Sequence, residues 1–229
     1  MRSVRKGRKQ TNNDASTSGR RQKPIGESRA RIRSRSRLIS AAEAVMARRG
    51  VEGSTIQEIT EAADVGIGTF YNHFSSKSEL ARAVFEFRTE ELASVFDQIS
   101  RTVSDPARRI AYIQRTYIRK SISDTVWGWF QVHAESALQQ VEKTFFERAK
   151  KDILDGVVLH RFTCGDCIDT AVKITLCSLV ATTKSILENR AGPNAMYELT
   201  ELMLRMYGVP ASEAATLARE SVPDFEVEE

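Results

Sequence analysis

Between Ala63 and Leu80 the chain reads ADVGIGTFYNHFSSKSEL. Within five residues it gathers the hydroxyls of Thr69 and Tyr71, the amide of Asn72 and the imidazole of His73, beside a bare Gly68. A glycine inside a helix costs about 1 kcal/mol against alanine, so this one must make room for something. The chemistry these groups can do is recognition. An asparagine pairs bidentately with adenine, an exposed Ile67 covers a thymine methyl, and a glycine lets a helix backbone approach base edges in a major groove. Thr55, Thr69, Tyr71, His73 and Lys77 are the right types to grip phosphate oxygens, with Gly66 as an N-cap before the reading face.

A second stretch, His160-Arg161-Phe162-Thr163-Cys164-Gly165-Asp166-Cys167, invites other chemistry. Its Cys-x-x-Cys with a histidine four residues before could supply three zinc ligands or a redox pair. A structural zinc site wants four ligands, and Cys177, ten residues on in a predicted helix, faces about 80° away from Cys167. Cys164 and Cys167 therefore remain an alternative as a metal or redox sensor, and no metal and no cofactor is expected. Catalysis finds no foothold. Glu142, Glu147, Asp152 and Asp155 read as a solvated face, and the chain contains no phosphate loop, nucleophile elbow or paired metal-binding histidines. An enzyme is not expected.

The recognition groups need a frame, and periodicity supplies one. Leu38, Ile39, Ala42, Val45 and Met46 make one apolar helical face, closed by Gly50. Thr55 and Glu58 form a capping box for a second helix with Ile56, Ile59 and Ala63 inside. Asp64 tolerates a positive φ, so the break at Asp64-Val65-Gly66 suits a tight turn into a third helix over about 67–74, with Phe70 and Phe74 inward. Ser76-Lys77-Ser78-Glu79 reads as a second capping box, launching a long helix with Leu80, Val84, Phe87, Val95 and Ile99 on one side. Asp105-Pro106 caps the next, which carries Ile110, Ile113 and Tyr117. Further helices are expected near 125–137, 141–159, 166–190, 194–207 and 212–220. The fold class is all-α.

The segment from Arg31 to Val84 resembles the N-terminal domain of the tetracycline-repressor (TetR/AcrR) family of bacterial transcription regulators. Gly68-Thr69-Phe70-Tyr71-Asn72-His73-Phe74 and Ser76-Lys77-Ser78-Glu79-Leu80 carry the resemblance. Asp64 stands where that family usually has glycine, and Gly66 where serine is common. The resemblance implies a three-helix helix-turn-helix head over 31–92, with the motif at about 55–74. It also implies a C-terminal body over 93–229 that binds a small molecule and dimerises. The expected function is a sequence-specific DNA-binding transcriptional regulator, a homodimeric repressor released from a palindromic operator by a small, largely apolar ligand.

For the body, the residues add thinner support. Trp127, Trp129, Phe130 and His133, with Tyr117, form an aromatic cluster suited to a ligand pocket. Ile174, Leu199, Leu202, Met203 and Met206 lie on two adjacent helices that bury more than one face, as a four-helix seam between two copies would.

Charge divides the chain. Residues 1–37 hold 13 Lys or Arg against Asp14 and Glu27, a balance of +11. The remaining 192 residues therefore carry −7, since the whole chain carries +4. A basic arm on an acidic body suits a polyanion. Residues 1–30 have the composition of a disordered arm, with Arg29, Arg31, Arg33, Arg35 and Arg37 placed to follow the DNA backbone or an adjacent minor groove. An alternative follows from it: sequence-indifferent, architectural DNA binding driven by the arm. Three cysteines fit a reducing cytoplasm, and no run of 18 apolar residues suggests a membrane partner.

Overall fold

A charged run with strong helix formers and no glycine or proline between Glu27 and Arg49 has every reason to stay helical. In the computed structural model, which describes residues 25–133 and 138–225, it does. Helix α1 spans Ile25–Gly53, broken at Gly50 (φ 74°, ψ 166°), where a side chain would be strained. The helix thus takes in residues 25–30, which the composition had assigned to a disordered arm, and the arginines from Arg29 to Arg37 lie on this helix. Residues 1–24 of the expected arm fall outside the described residues.

Three helices complete the head: α2 (Ile56–Ala62), α3 (Ile67–Tyr71) and the first half of α4 (Lys77–Thr102). Their core holds Leu38, Met46, Ile59, Phe70, Phe74, Leu80 and Val84, all essentially without solvent contact. Helix α4 crosses the expected domain boundary at residue 92 without interruption. Its residues up to Phe85 belong to the head core, and those from Leu92 to Ile99 to a second core. Phe87, expected on the buried side, is half exposed, because the helix turns a different stripe toward each core.

The second core is built by the rest of α4 with α5 (Pro106–Ser123), α7 (Leu138–Val158), α8 (Ile168–Leu187), α9 (Ala195–Met206) and α10 (Ala211–Arg219). Asp105 caps α5 as expected, its carboxylate accepting from the N–H groups of Ala107 and Arg108. The short α6 (Thr125–His133) lies against α1 and joins the two units. No strand occurs among the described residues. The segment Gly165–Leu187 is long and apolar enough to cross a membrane by length and composition, with 28% of its most apolar 18-residue stretch buried.

Candidate functional site

The reading face is built from the turn upward. Thr55 Oγ1 accepts from the Glu58 N–H at 3.1 Å and Glu58 Oε2 accepts from the Thr55 N–H at 3.1 Å, a reciprocal capping box that starts α2. Asp64 holds the turn at φ 49°, and Arg37 from α1 clamps it, donating to Asp64 Oδ2 at 2.6 Å and to its carbonyl at 3.0 Å. Gly66 then caps α3 in an extended conformation (φ −72°, ψ 152°). Phe70 and Phe74, 6.0 Å between ring centroids, nail the helix to the core.

The opposite side is bare. Ile67 and Tyr71, one turn apart, are 56% and 58% exposed, and a protein gains nothing internally from displaying two large side chains on one face. Asn72 is exposed beside them and Thr69 half-buried. A Cβ added at Gly66 or Gly68 would meet nothing within 4 Å, so no neighbour in the chain requires either glycine. The room at Gly68 is room toward solvent.

Two expected phosphate contacts are otherwise engaged. Lys77 Nζ donates to the carbonyls of Glu52 (2.9 Å) and Ser54 (2.8 Å), fastening the start of α4 to the end of α1. Two of the three N–H donors of that ammonium are thereby used within the chain. His73 Nε2 lies 2.8 Å from Ser34 Oγ. The same hydroxyl donates to the Arg31 carbonyl, so the imidazole Nε2–H is the donor in this pair. Burial, with Arg31 and Arg35 nearby, lowers the His73 pKa and favours a neutral ring. Arg35 also lies over the Phe74 ring at 5.3 Å. Arg31, Arg33 and Arg35 are exposed, and Arg31 and Arg35, about one turn apart on α1, set a positive rim beside His73 and Phe74.

A second feature lies between α4, α5, α7 and α8: a cavity of about 460 Å3, within the range of small-molecule sites. Phe85, Phe96, Tyr117, Phe145 and Tyr207 give it aromatic walls. Three of its charged groups are paired, Arg148 with Asp97, and Asp152 with Arg109 Nη1 (3.2 Å) and Ser100 Oγ (3.3 Å), while the exposed Lys184 has no partner among the described residues. Burial raises the Asp152 pKa against the pull of Arg109, and it raises those of Tyr117 and Tyr207, keeping both phenols neutral.

Of the aromatic residues expected to line a pocket, only Tyr117 does so. Trp127 and Phe130 are buried in the head core, stacked on each other at 5.8 Å and packed on Phe85. Trp129 stacks on His133, whose Nδ1 meets the Ala47 carbonyl at 3.0 Å. The reason is the position of α6: it faces α1, so its rings are consumed by the joint between head and body. A Cβ at Gly128 would sit 2.2 Å from the Ser121 carbonyl oxygen, which is how closely α6 folds back on α5. Apart from Tyr117, the cavity residues of α4, α5 and α7 were missed. Their one sequence signal is Gln114, an amide on the apolar α5 face of Ile110, Ile113 and Tyr117.

The expected dimer stripe divides as well. Ile174 and Leu202 are 43% and 55% exposed, whereas Leu199 and Met203 are buried in the protomer's own core and Met206 packs against it. Cys164 is buried, with its thiol pKa raised, and Cys167 is exposed. Among the described residues no cluster of three or more His, Cys, Asp or Glu side chains could hold a metal ion.

Comparison with known proteins covers both halves. Residues 38–84 match the model of bacterial regulatory proteins of the tetR family, and 105–220 match a tetracyclin repressor-like C-terminal domain. The transcriptional repressor DhaR of Mycobacterium sp. strain GP1 is 39% identical over 75 residues, which span 33% of this chain and 34% of DhaR. The transcriptional activator FasR of Mycolicibacterium smegmatis is 37% identical over 76 residues, 33% of this chain and 35% of FasR. The aligned region is thus about a third of either relative. The solved structure of RolR with its ligand resorcinol superimposes with a TM-score of 0.71 at 36% identity, covering 87% of this chain and all of that one.

Proposed function

The chain belongs to the tetR family of bacterial regulatory proteins and is a DNA-binding transcriptional regulator, and from that premise we propose that it is a homodimeric repressor released from a palindromic operator by a small aromatic ligand. The observation that carries the DNA half is the open face of α3: Gly68 with empty space above it, flanked by exposed Ile67, Tyr71 and Asn72. Such a face serves no internal packing and fits a major groove, with base edges read by Asn72 and phosphates held by Thr55, Thr69, Tyr71 and the arginine rim. Two copies joined through the exposed side of α8 and α9, at Ile174 and Leu202, would present two such helices to successive half-sites. A cytoplasmic location follows from that role.

The cavity is the effector site in this reading. RolR, which shares the fold over its whole length, binds resorcinol, and the aromatic walls here suit a ring of that size. Phe85 connects cavity to head: it lines the cavity and packs on Trp127 and Phe130, which belong to the head core. A ligand that favours one position of Phe85 therefore biases the angle of the head and the spacing of the two α3 helices. Fluorescence anisotropy on an operator fragment tests this. Resorcinol is expected to release the DNA from a dimer of constant mass. Unchanged DNA affinity at saturating ligand would remove the effector role from the cavity.

A further inference from the structure

Gln114 sits on α5 among Ile110, Ile113 and Tyr117 and forms part of the cavity wall, with 2% of its surface exposed. Among the described residues neither its amide nitrogen nor its amide oxygen has a hydrogen-bond partner. Leaving both groups unpaired in a buried site is costly, and an apolar side chain of the same shape would avoid the cost. Most other polar groups at this wall are paired, the exposed Lys184 being the charged one without a partner among the described residues. Thr175 Oγ1 bonds to Tyr207 Oη and to the Ala171 carbonyl, Asp97 to Arg148, and Asp152 to Arg109 and Ser100. Of the buried polar groups left without a hydrogen-bond partner, which include atoms of Glu43, Gln98, Arg115, Thr116 and Thr183, the Gln114 amide is the one whose residue belongs to the cavity wall.

We infer that Gln114 is the specificity determinant of the cavity and that it selects an uncharged ligand bearing hydroxyl groups on a compact ring. A hydroxyl both donates and accepts, so it satisfies the amide oxygen and nitrogen alike, whereas an apolar ring of equal shape leaves both unpaired. A carboxylate accepts from the amide N–H but has no hydrogen for the amide oxygen, so it pairs half of the amide where a hydroxyl pairs both. Arg109 and Arg148 are held by carboxylates of the protein, which leaves Lys184 as the unpaired cation among the described wall residues that would favour a carboxylate. This inference rests on the cavity being the effector site.

Isothermal titration of the full chain with resorcinol, with m-xylene (the same outline with methyls for hydroxyls) and with benzoate tests it, in the wild type, Gln114→Leu and Gln114→Met. Wild type is expected to prefer resorcinol over m-xylene. Both substitutions should weaken resorcinol binding by about tenfold or more and leave m-xylene binding equal or tighter. Both variants should melt no lower than wild type without ligand, which separates lost specificity from lost folding. An unchanged resorcinol-to-m-xylene ratio in the variants would overturn the role of Gln114 while leaving the effector site standing. Tighter binding of benzoate would overturn the preference for an uncharged ligand. A wild type that binds DNA but none of the three probes would overturn the effector reading and this inference together.

Discussion

Gly68 and His73 mark the two sides of the reading helix. Because nothing in the chain approaches a Cβ at Gly68, Gly68→Ala should raise the melting stability by about 0.5 kcal/mol, the ordinary helix-propensity gain near a helix start. The same methyl would stand between backbone and base edges and should weaken operator binding. A variant that is both more stable and a weaker binder is the expected result, read by thermal melting and anisotropy; unchanged binding would take Gly68 out of the interface. His73 gives a pH signature. Its pKa is lowered in the folded protein by burial and by Arg31 and Arg35, so its neutral form contributes stability that is present above the unfolded value near 6.5 and lost as pH falls below it. The melting temperature should therefore fall between pH 7.5 and 5.5. His73→Gln, which keeps a donor toward Ser34, should remove part of that fall.

The elements that matter most for coupling are α4 and α6, and Arg88 ties them together. Its guanidinium meets Glu43 of α1 at 3.1 Å, pairs with Asp124 at the start of α6, and lies over Trp127 at 5.4 Å. Burial raises the Glu43 pKa, with Arg88 as the opposing influence, so this arginine is what lets a carboxylate sit between head and body. Arg88→Met should leave ligand binding in the cavity within about threefold of wild type, since Arg88 does not line it, while shrinking the ligand-induced change in DNA affinity. Titration of ligand and DNA against each other measures that coupling directly. A full ligand response in Arg88→Met would place the connection elsewhere, with Phe85 alone as the candidate.

At the scale of the whole molecule, much of the fold was legible because its signals are local. The capping box at Thr55, the Asp105-Pro106 start and the positive φ of Asp64 appear where residue type and spacing put them. Of the box expected at Ser76 half forms: Ser76 caps the helix, while the Glu79 carboxylate accepts from Ser75 instead. What was not legible depends on which helix faces which. The Trp127-to-His133 cluster has the composition of a pocket and the position of a joint. Leu199 and Met203 have the spacing of a seam and the burial of a core, while Ile174 and Leu202 remain on the surface. Lys77 has the chemistry of a phosphate ligand and is spent on two carbonyls brought near it by the chain's path. Gln114 was visible only as a polar residue on an apolar face, without the cavity that gives it meaning.

The division of labour between the α3 face and the basic α1 rim is the central claim, and one experiment weighs them against each other. Purified protein is used to select fragments of its source genome at physiological salt, with Tyr71→Ala selected in parallel, and both pools are sequenced. One or a few sharp palindromic sites in the wild-type pool, absent from the Tyr71→Ala pool, is the predicted result. Diffuse recovery that is the same in both pools would contradict it, and would mean that the arginines bind DNA without α3 reading it.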